Sequence, residues 1–239
     1  MSANPHAHQG SSTISSAGAF LGEDGYLVLE KMRWRTAPAI VASIARDMGL
    51  VNFQGQPGFD VDACAEDAWH HAPLYYTAQN SALKAKDWRH GHNFRPPTHQ
   101  PDIHPARPAA AQVRSVFMNC PWAGPGRPNK LIAEMREAQP DLDPKAFPGT
   151  ARFVNHAWAQ SRHGMQVAVL IGSSLDQWQR EAVRLADEVW FGPRLAFLEL
   201  DGTPQKQPPG AHMVLIFRPH VPVQGWPGGP RVRWDWDPR

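Results

Sequence analysis

Cysteine is scarce: Cys64 and Cys120 are the only two thiols in 239 residues. Two thiols cannot build the disulfide framework of a small secreted scaffold, and neither stands in a Cys/His pattern spaced for zinc. Charge is balanced, with a formal net charge of +2. Contact with nucleic acid must therefore come from local basic patches rather than a global field. The chain has no apolar run of spanning length and no basic start followed by an apolar core. We therefore expect no membrane segment and a soluble, intracellular protein. No internal repeat is visible.

What the chain has in quantity is proline, histidine and tryptophan, with 24, 12 and 10 residues, most of them in connecting stretches. A hydrophobic content of 42% is enough for a real core, and the length suits one domain, with or without long insertions. Residues 1–20 are small and polar and lack the apolar content to order themselves. His6 and His8 fall in this expected tail, where a metal is a weaker reading than mobility. Residues 89–114 are rich in His, Pro and Arg without a spacing that closes a ligand site. No metal is expected there; a basic loop able to touch phosphates fits better.

Between the loops, periodicity alternates. Residues 39–48 place Ile40, Val41, Ile44, Ala45 and Met48 at helical spacing, with Thr36 suited to the N-cap and Pro38 to the first turn. The amides of such a helix start can hold a carboxylate, although an ordinary capped helix explains the same pattern. Residues 58–65 read as a strand ending in an acidic turn of small residues. There Asp62 either accepts hydrogen bonds from a ligand ammonium or hydroxyl, or is a solvated turn residue. Ala63, Cys64 and Ala65 leave room for close approach, and Asp60 should share the face of Asp62.

Residues 115–118 are a short buried strand, and 167–171 the strongest one. Further strand segments are expected at 188–191, 194–198 and 213–217, and helices at 129–138, 153–158 and 174–186, the last with a Ser174–Gln177 capping box. The alternation predicts a layered α/β sheet. Residues 225–239 interleave Arg with Trp, a pattern that either grips nucleic acid by charge and stacking or folds back as a cap.

The most informative stretch follows the strand at 115–118: Asn119, Cys120, Pro121 and Trp122. In open α/β sheets, ligand chemistry collects beyond the carboxyl ends of strands. An amide, a Pro-constrained backbone and a large aromatic there suit a flat polar ring: Asn119 accepts from an exocyclic amine while Trp122 stacks on the ring. A strand running into a turn is the plain alternative.

The tetrapeptide resembles the Asn/Asp-Pro-Pro-aromatic signature of amino-group DNA and RNA methyltransferases. The succession of residues 34–38, 59–65, 87–88, 116–122, 167–171, 193–197 and 211–217 resembles the phage-type DNA N6-adenine methyltransferase (Dam-like) family over roughly residues 33–219. The resemblance implies an S-adenosylmethionine-dependent, Rossmann-like methyltransferase fold, with a central, mostly parallel sheet and helices on both faces. It implies that Asn119, Pro121 and Trp122 receive a flipped adenine from DNA. Thr36, Pro38 and Asp62 would hold the methionine and ribose parts of the cofactor, with Cys64 and Ala65 at the pocket border. Asp87, with Trp88 beside it, would lie near the cofactor's adenine.

The methyltransferase domain would occupy residues 21–219 with insertions at about 89–114 and 123–152, followed by a tail at 220–239. A phage or prophage origin would place the protein in the cytoplasm of a bacterial host. Cys120 departs from the usual second-position Pro, and Thr36-Ala37-Pro38 from the usual Thr-Pro. A catalytically silent nucleic-acid-binding relative, or one modifying RNA or another base, fits the same residues.

Overall fold

The computed structural model describes residues 13–15, 19–21, 27–29, 35–77, 81–91, 93–94, 108–120, 150–173, 176–199, 201–205, 210–219 and 228–238. Near the N-terminus, strands β1 (Thr13–Ser15), β2 (Ala19–Leu21) and β3 (Leu27–Leu29) pair antiparallel in a small sheet. The polar segment whose composition predicts no order thus contributes two of these strands.

The main sheet contains β4 (Val61–Asp62), β5 (Leu74–Tyr75), β6 (Asn93–Phe94), β7 (Ser115–Met118), β8 (Gln166–Gly172), β9 (Glu188–Gly192), β10 (His212–Phe217) and β11 (Arg231–Arg233). Their order across the sheet is β11-β9-β10-β8-β7-β4-β5-β6. Six strands run the same way, and β6 and β10 run against them. The expected mostly parallel α/β sheet is therefore present.

Why these segments are strands is visible in their burial. Residues 167–171 of β8 and 213–217 of β10 are apolar without interruption because both faces are covered. On one face Val167, Val169 and Ile171 join Met213, Leu215 and Phe217, under Phe153, Val154 and Ala157 of α2 (Thr150–Ser161) and Ala182 of α3 (Gln177–Leu185). On the other, Ala168, Leu170, Val214, Ile216 and Phe117 meet Ile40, Val41, Ile44 and Ala45 of α1 (Pro38–Asp47). Each fully buried aliphatic or Phe side chain contributes roughly 1.5–3 kcal/mol. The helices α1 and α2 carry the stripes the spacing predicts.

Two expectations change, and a third lies outside the described residues. Residues 194–198 make only an isolated bridge of Leu198 to Arg35 and Pro204. The helix α3 begins at Gln177 with Asp176 at its N-cap position and no side-chain cap bond, and Ser174 lies outside the described residues. The helix expected at 129–138 also lies outside them.

Two polar clusters fasten the sheet at the edge where β7 begins. Asp60 is buried and accepts from the amide nitrogens of Phe53, Arg114 and Ser115 at 2.6, 2.7 and 2.9 Å and from the Ser115 hydroxyl at 3.0 Å. It is a staple between the approaches to β4 and β7. Further along, Arg218 donates to Asp187 at 2.6 Å and to Glu188 at 2.8 Å, and Arg231 donates to the same two carboxylates at 2.9 and 2.8 Å.

The C-terminal segment folds back as part of the structure. Strand β11 pairs with β9, and Trp236 is buried against Gly192, where an added Cβ would lie 2.6 Å from the Trp236 ring. Trp234 stacks on Phe191 at 4.5 Å while remaining largely exposed. Among the described residues, no helix is long and apolar enough to cross a membrane.

Candidate active site

Strand order reverses direction beside β4. From β4 the chain steps outward to β5; later β7 returns to the other side of β4 and β8 continues away from it. The crevice beyond the carboxyl ends of β4 and β7 is therefore the topological switch point, where doubly wound sheets bind ligands. Asp62 ends β4 and Asn119 directly follows β7. These neighbouring strands pair Val61 with Val116 and Asp62 with Phe117.

Thr36 closes this corner. It is buried, and its hydroxyl accepts a hydrogen bond from Asn119 Nδ2 at 2.9 Å. Its carbonyl accepts from Trp69 Nε1 at 3.4 Å, with His71 close by. This corrects the capping expectation: Ala37 is the N-cap of α1, without a side-chain cap bond, and the Thr36 hydroxyl is used on Asn119 instead. Pro38 stands at the first helical position, where its missing N–H costs nothing.

Asp62 is buried and shapes the loop that follows it. One oxygen accepts from the Cys64 amide at 3.2 Å and the other from the His71 amide at 3.0 Å. Burial raises the carboxyl above its ordinary value, against the opposing pull of His71 and the two amides. Burial likewise lowers His71, with Asp62 opposing. His71 thus bonds Asp62 and lies close to Thr36, and Thr36 links to Asn119.

The remaining candidates extend this group along the same edge. Ala63 donates to the Phe117 carbonyl and Ala65 to the Tyr76 carbonyl, both at 2.9 Å. The Tyr76 hydroxyl reaches the Asp87 carbonyl at 3.5 Å. Asp87 caps a turn of 3-10 helix at Trp88–His90 and holds the Arg89 guanidinium, with the shortest contact at 2.6 Å. Burial raises its carboxyl, but the Arg89 hydrogen bonds outweigh this and leave it below the usual range.

Trp88 turns the other way. It is 0% exposed, its amide donates to Gln160 at 2.8 Å and its ring nitrogen to the Ala82 carbonyl at 2.8 Å. It packs edge-on against His156. Trp88 is a core side chain that fixes where Asp87 stands, and it presents no surface to a ligand.

Cys120 is buried beside the same core, with Cys64 packed partly against it. Burial pushes the Cys120 thiol up to about 12 and raises that of Cys64 well above its ordinary value, with Cys120 and Asp62 adding to the effect on Cys64. Both are free thiols.

Pro121 and Trp122 lie outside the described residues. Trp69 and His71, by contrast, are site residues that the sequence shows only as part of an aromatic-rich connection, because nothing local announces that they fold onto Thr36. Among the described residues, no group of three or more His, Cys, Asp or Glu is arranged to hold a metal ion. Comparison with family models, with curated proteins and with solved structures gives no match.

Proposed function

We propose that this protein is an S-adenosylmethionine-dependent methyltransferase of Rossmann-like form that acts on the exocyclic amine of adenine in DNA. The observation that carries the reading is the hydrogen bond of Asn119 to Thr36 at the switch point, beside the carboxyl end of β4 where Asp62 stands. Three segments that the family resemblance singles out, far apart in sequence, thus share one corner.

The donor set suits the cofactor. The start of α1 has no side-chain cap bond and no acidic residue in its first turn, so its amides favour a carboxylate. Asp62 spends one acceptor position per oxygen on Cys64 and His71, and a carboxylate offers about four. That capacity serves an ammonium or a ribose hydroxyl. When bound, the cofactor supplies an electrophilic sulfonium methyl group.

The chain's own residues supply the rest. An adenine amine is a poor nucleophile because its lone pair is delocalised into the ring. The Asn119 carbonyl oxygen accepts one amine hydrogen and favours a more tetrahedral nitrogen, with its lone pair directed away from the ring. Catalysis then rests on positioning and on a site shaped for the developing charge. Pro121 and Trp122 complete the adenine holder in this reading. Cys120, its thiol held protonated by burial, is not a nucleophile.

Mass analysis of nucleosides from DNA and from RNA, each incubated with protein and cofactor, tests the substrate class. N6-methyldeoxyadenosine from DNA supports the proposal. A different modified nucleoside redirects it to another base or to RNA, and no modification with either polymer counts against methyl transfer.

A further inference from the structure

We infer that Arg89, held by Asp87 and flanked by Lys86 and His90, anchors the phosphate backbone of DNA, and that Asp87 is its mount rather than a ligand acceptor. The choice of partner rests on the DNA substrate proposed above; the contact itself does not depend on methyl transfer.

The mount is built from the core outward. Gln160 on α2 is 2% exposed. Its Oε1 accepts from the Trp88 amide at 2.8 Å and its Nε2 donates to the Lys86 carbonyl at 3.0 Å, so one side chain brackets Asp87 from both sides. A backbone amide only donates and a carbonyl only accepts, which fixes the two ends of the Gln160 side chain. One helical turn earlier, His156 bonds the Ala85 carbonyl at 3.1 Å. Tyr76 joins the turn to the candidate site: its amide donates to the Asp62 carbonyl at 2.9 Å and its hydroxyl reaches the Asp87 carbonyl at 3.5 Å.

The Asp87 carboxylate is occupied by Arg89. Oδ1 receives the Arg89 amide at 2.9 Å and Nε at 3.0 Å, and Oδ2 receives Nε at 3.0 Å and NH2 at 2.6 Å. A carboxylate offers about four acceptor positions, and these contacts use them. The family resemblance puts Asp87 near the cofactor's adenine, yet its oxygens are already committed. The guanidinium is engaged along one edge, through Nε and NH2. Its second edge, NH1 with the outer hydrogen of NH2, has the fork geometry that grips a phosphate by two parallel bonds. The Arg89 side chain is 29% exposed, and its orientation is set before any ligand arrives.

The surroundings select the anion. Residues 81–91 and 150–163 contain Lys84, Lys86, Arg89, Arg152 and Arg162, and Asp87 is their only carboxylate. Lys86 and His90 are exposed on either side of Asp87 and Arg89. His163, exposed just beyond α2, lies within electrostatic reach of Asp87. A series of cations suits the repeated charges of a nucleic-acid backbone better than a single carboxylate. On a chain with a net charge of only +2, nucleic-acid contact requires a local patch of this kind.

Affinity for a short, fluorescently labelled DNA duplex, measured by anisotropy between about 50 and 200 mM salt without cofactor, tests the anchor. Lys86→Gln should reduce the slope of log affinity against log salt by about 0.9 and weaken binding about 5-fold near physiological salt. Asp87→Asn combined with Arg89→Gln leaves the net charge unchanged, so a bulk-charge effect predicts native binding. The anchor predicts a loss of slope and affinity like that of Lys86→Gln. If urea unfolding shows that the paired variant does not fold, Arg89→Lys decides: it keeps the charge and a partner for Asp87 but lacks the fork, and should bind several-fold more weakly. An unchanged slope in Lys86→Gln or in the folded paired variant, or native affinity in Arg89→Lys, overturns the inference and leaves the DNA reading to another surface. No binding of DNA by the native protein overturns both.

Discussion

The Asn119 side chain donates to the Thr36 hydroxyl across 83 positions of sequence, at 2.9 Å. The bond joins the entry to α1 with the exit of β7, and His71 draws Asp62 into the same corner. One polar knot thus sets the relation between two strand ends and a helix start.

Asp62 should matter to both the loop and the ligand. Asp62→Ala leaves the amides of Cys64 and His71 without their acceptor, which we expect to cost about 1–3 kcal/mol in urea unfolding. Calorimetry with S-adenosylmethionine should show cofactor binding weakened by more than the loss of folded protein explains. Unchanged affinity would remove Asp62 from the cofactor site.

The ion cluster on the far edge predicts a stability effect with no functional counterpart. Arg218→Ala removes the less exposed of the two guanidinium groups, those of Arg218 and Arg231, that pair with the buried Asp187. Breaking a buried pair from one side costs about 3–5 kcal/mol, and the partial exposure of Arg218 places the expectation at the lower end. Denaturant unfolding measures it, and cofactor affinity should not move.

Acid should weaken the fold through His212. The side chain, on β10, is buried against Phe197, receives the Leu195 amide at 3.1 Å on Nδ1, and is lowered by burial to about 4. The unfolded chain, with an ordinary value of about 6.5, binds this proton more readily. Stability is therefore full above that value and falls as pH drops toward 4, with a limiting slope of about 1.4 kcal/mol per pH unit for one proton. Unfolding curves at a series of pH values check it, and His212→Gln should flatten the slope.

Both thiols should react slowly in the folded protein, because burial keeps them protonated at neutral pH. Alkylation monitored by mass spectrometry should label both only on unfolding. Bound cofactor should slow Cys64 further; an unaffected rate would mean that Cys64 does not border the pocket.

Much of the sheet was legible because its strands are buried on both faces. Residues 116–118, 167–171, 189–191 and 213–217 are continuous apolar runs, and each falls within an observed strand. The stripes of α1 and α2 were equally plain. Thr36 misled because a hydroxyl before Pro38 suits a cap locally, whereas its partner is set by a tertiary contact with Asn119. The partners of Asp60, at Arg114 and Ser115, are likewise set by a tertiary contact. Trp88 looked available beside Asp87, but Gln160, 72 positions later, draws it into the core. Contacts at such separations leave no trace in local spacing.

Methyl transfer from labelled S-adenosylmethionine to unmethylated DNA, with Asn119→Ala alongside, tests the central claim most directly. N6-methyladenine is expected with the native protein and is lost in the variant, which still folds and binds cofactor. Equal transfer by both proteins would contradict the role of Asn119, and absence of both transfer and cofactor binding in the native protein would contradict the methyltransferase reading itself.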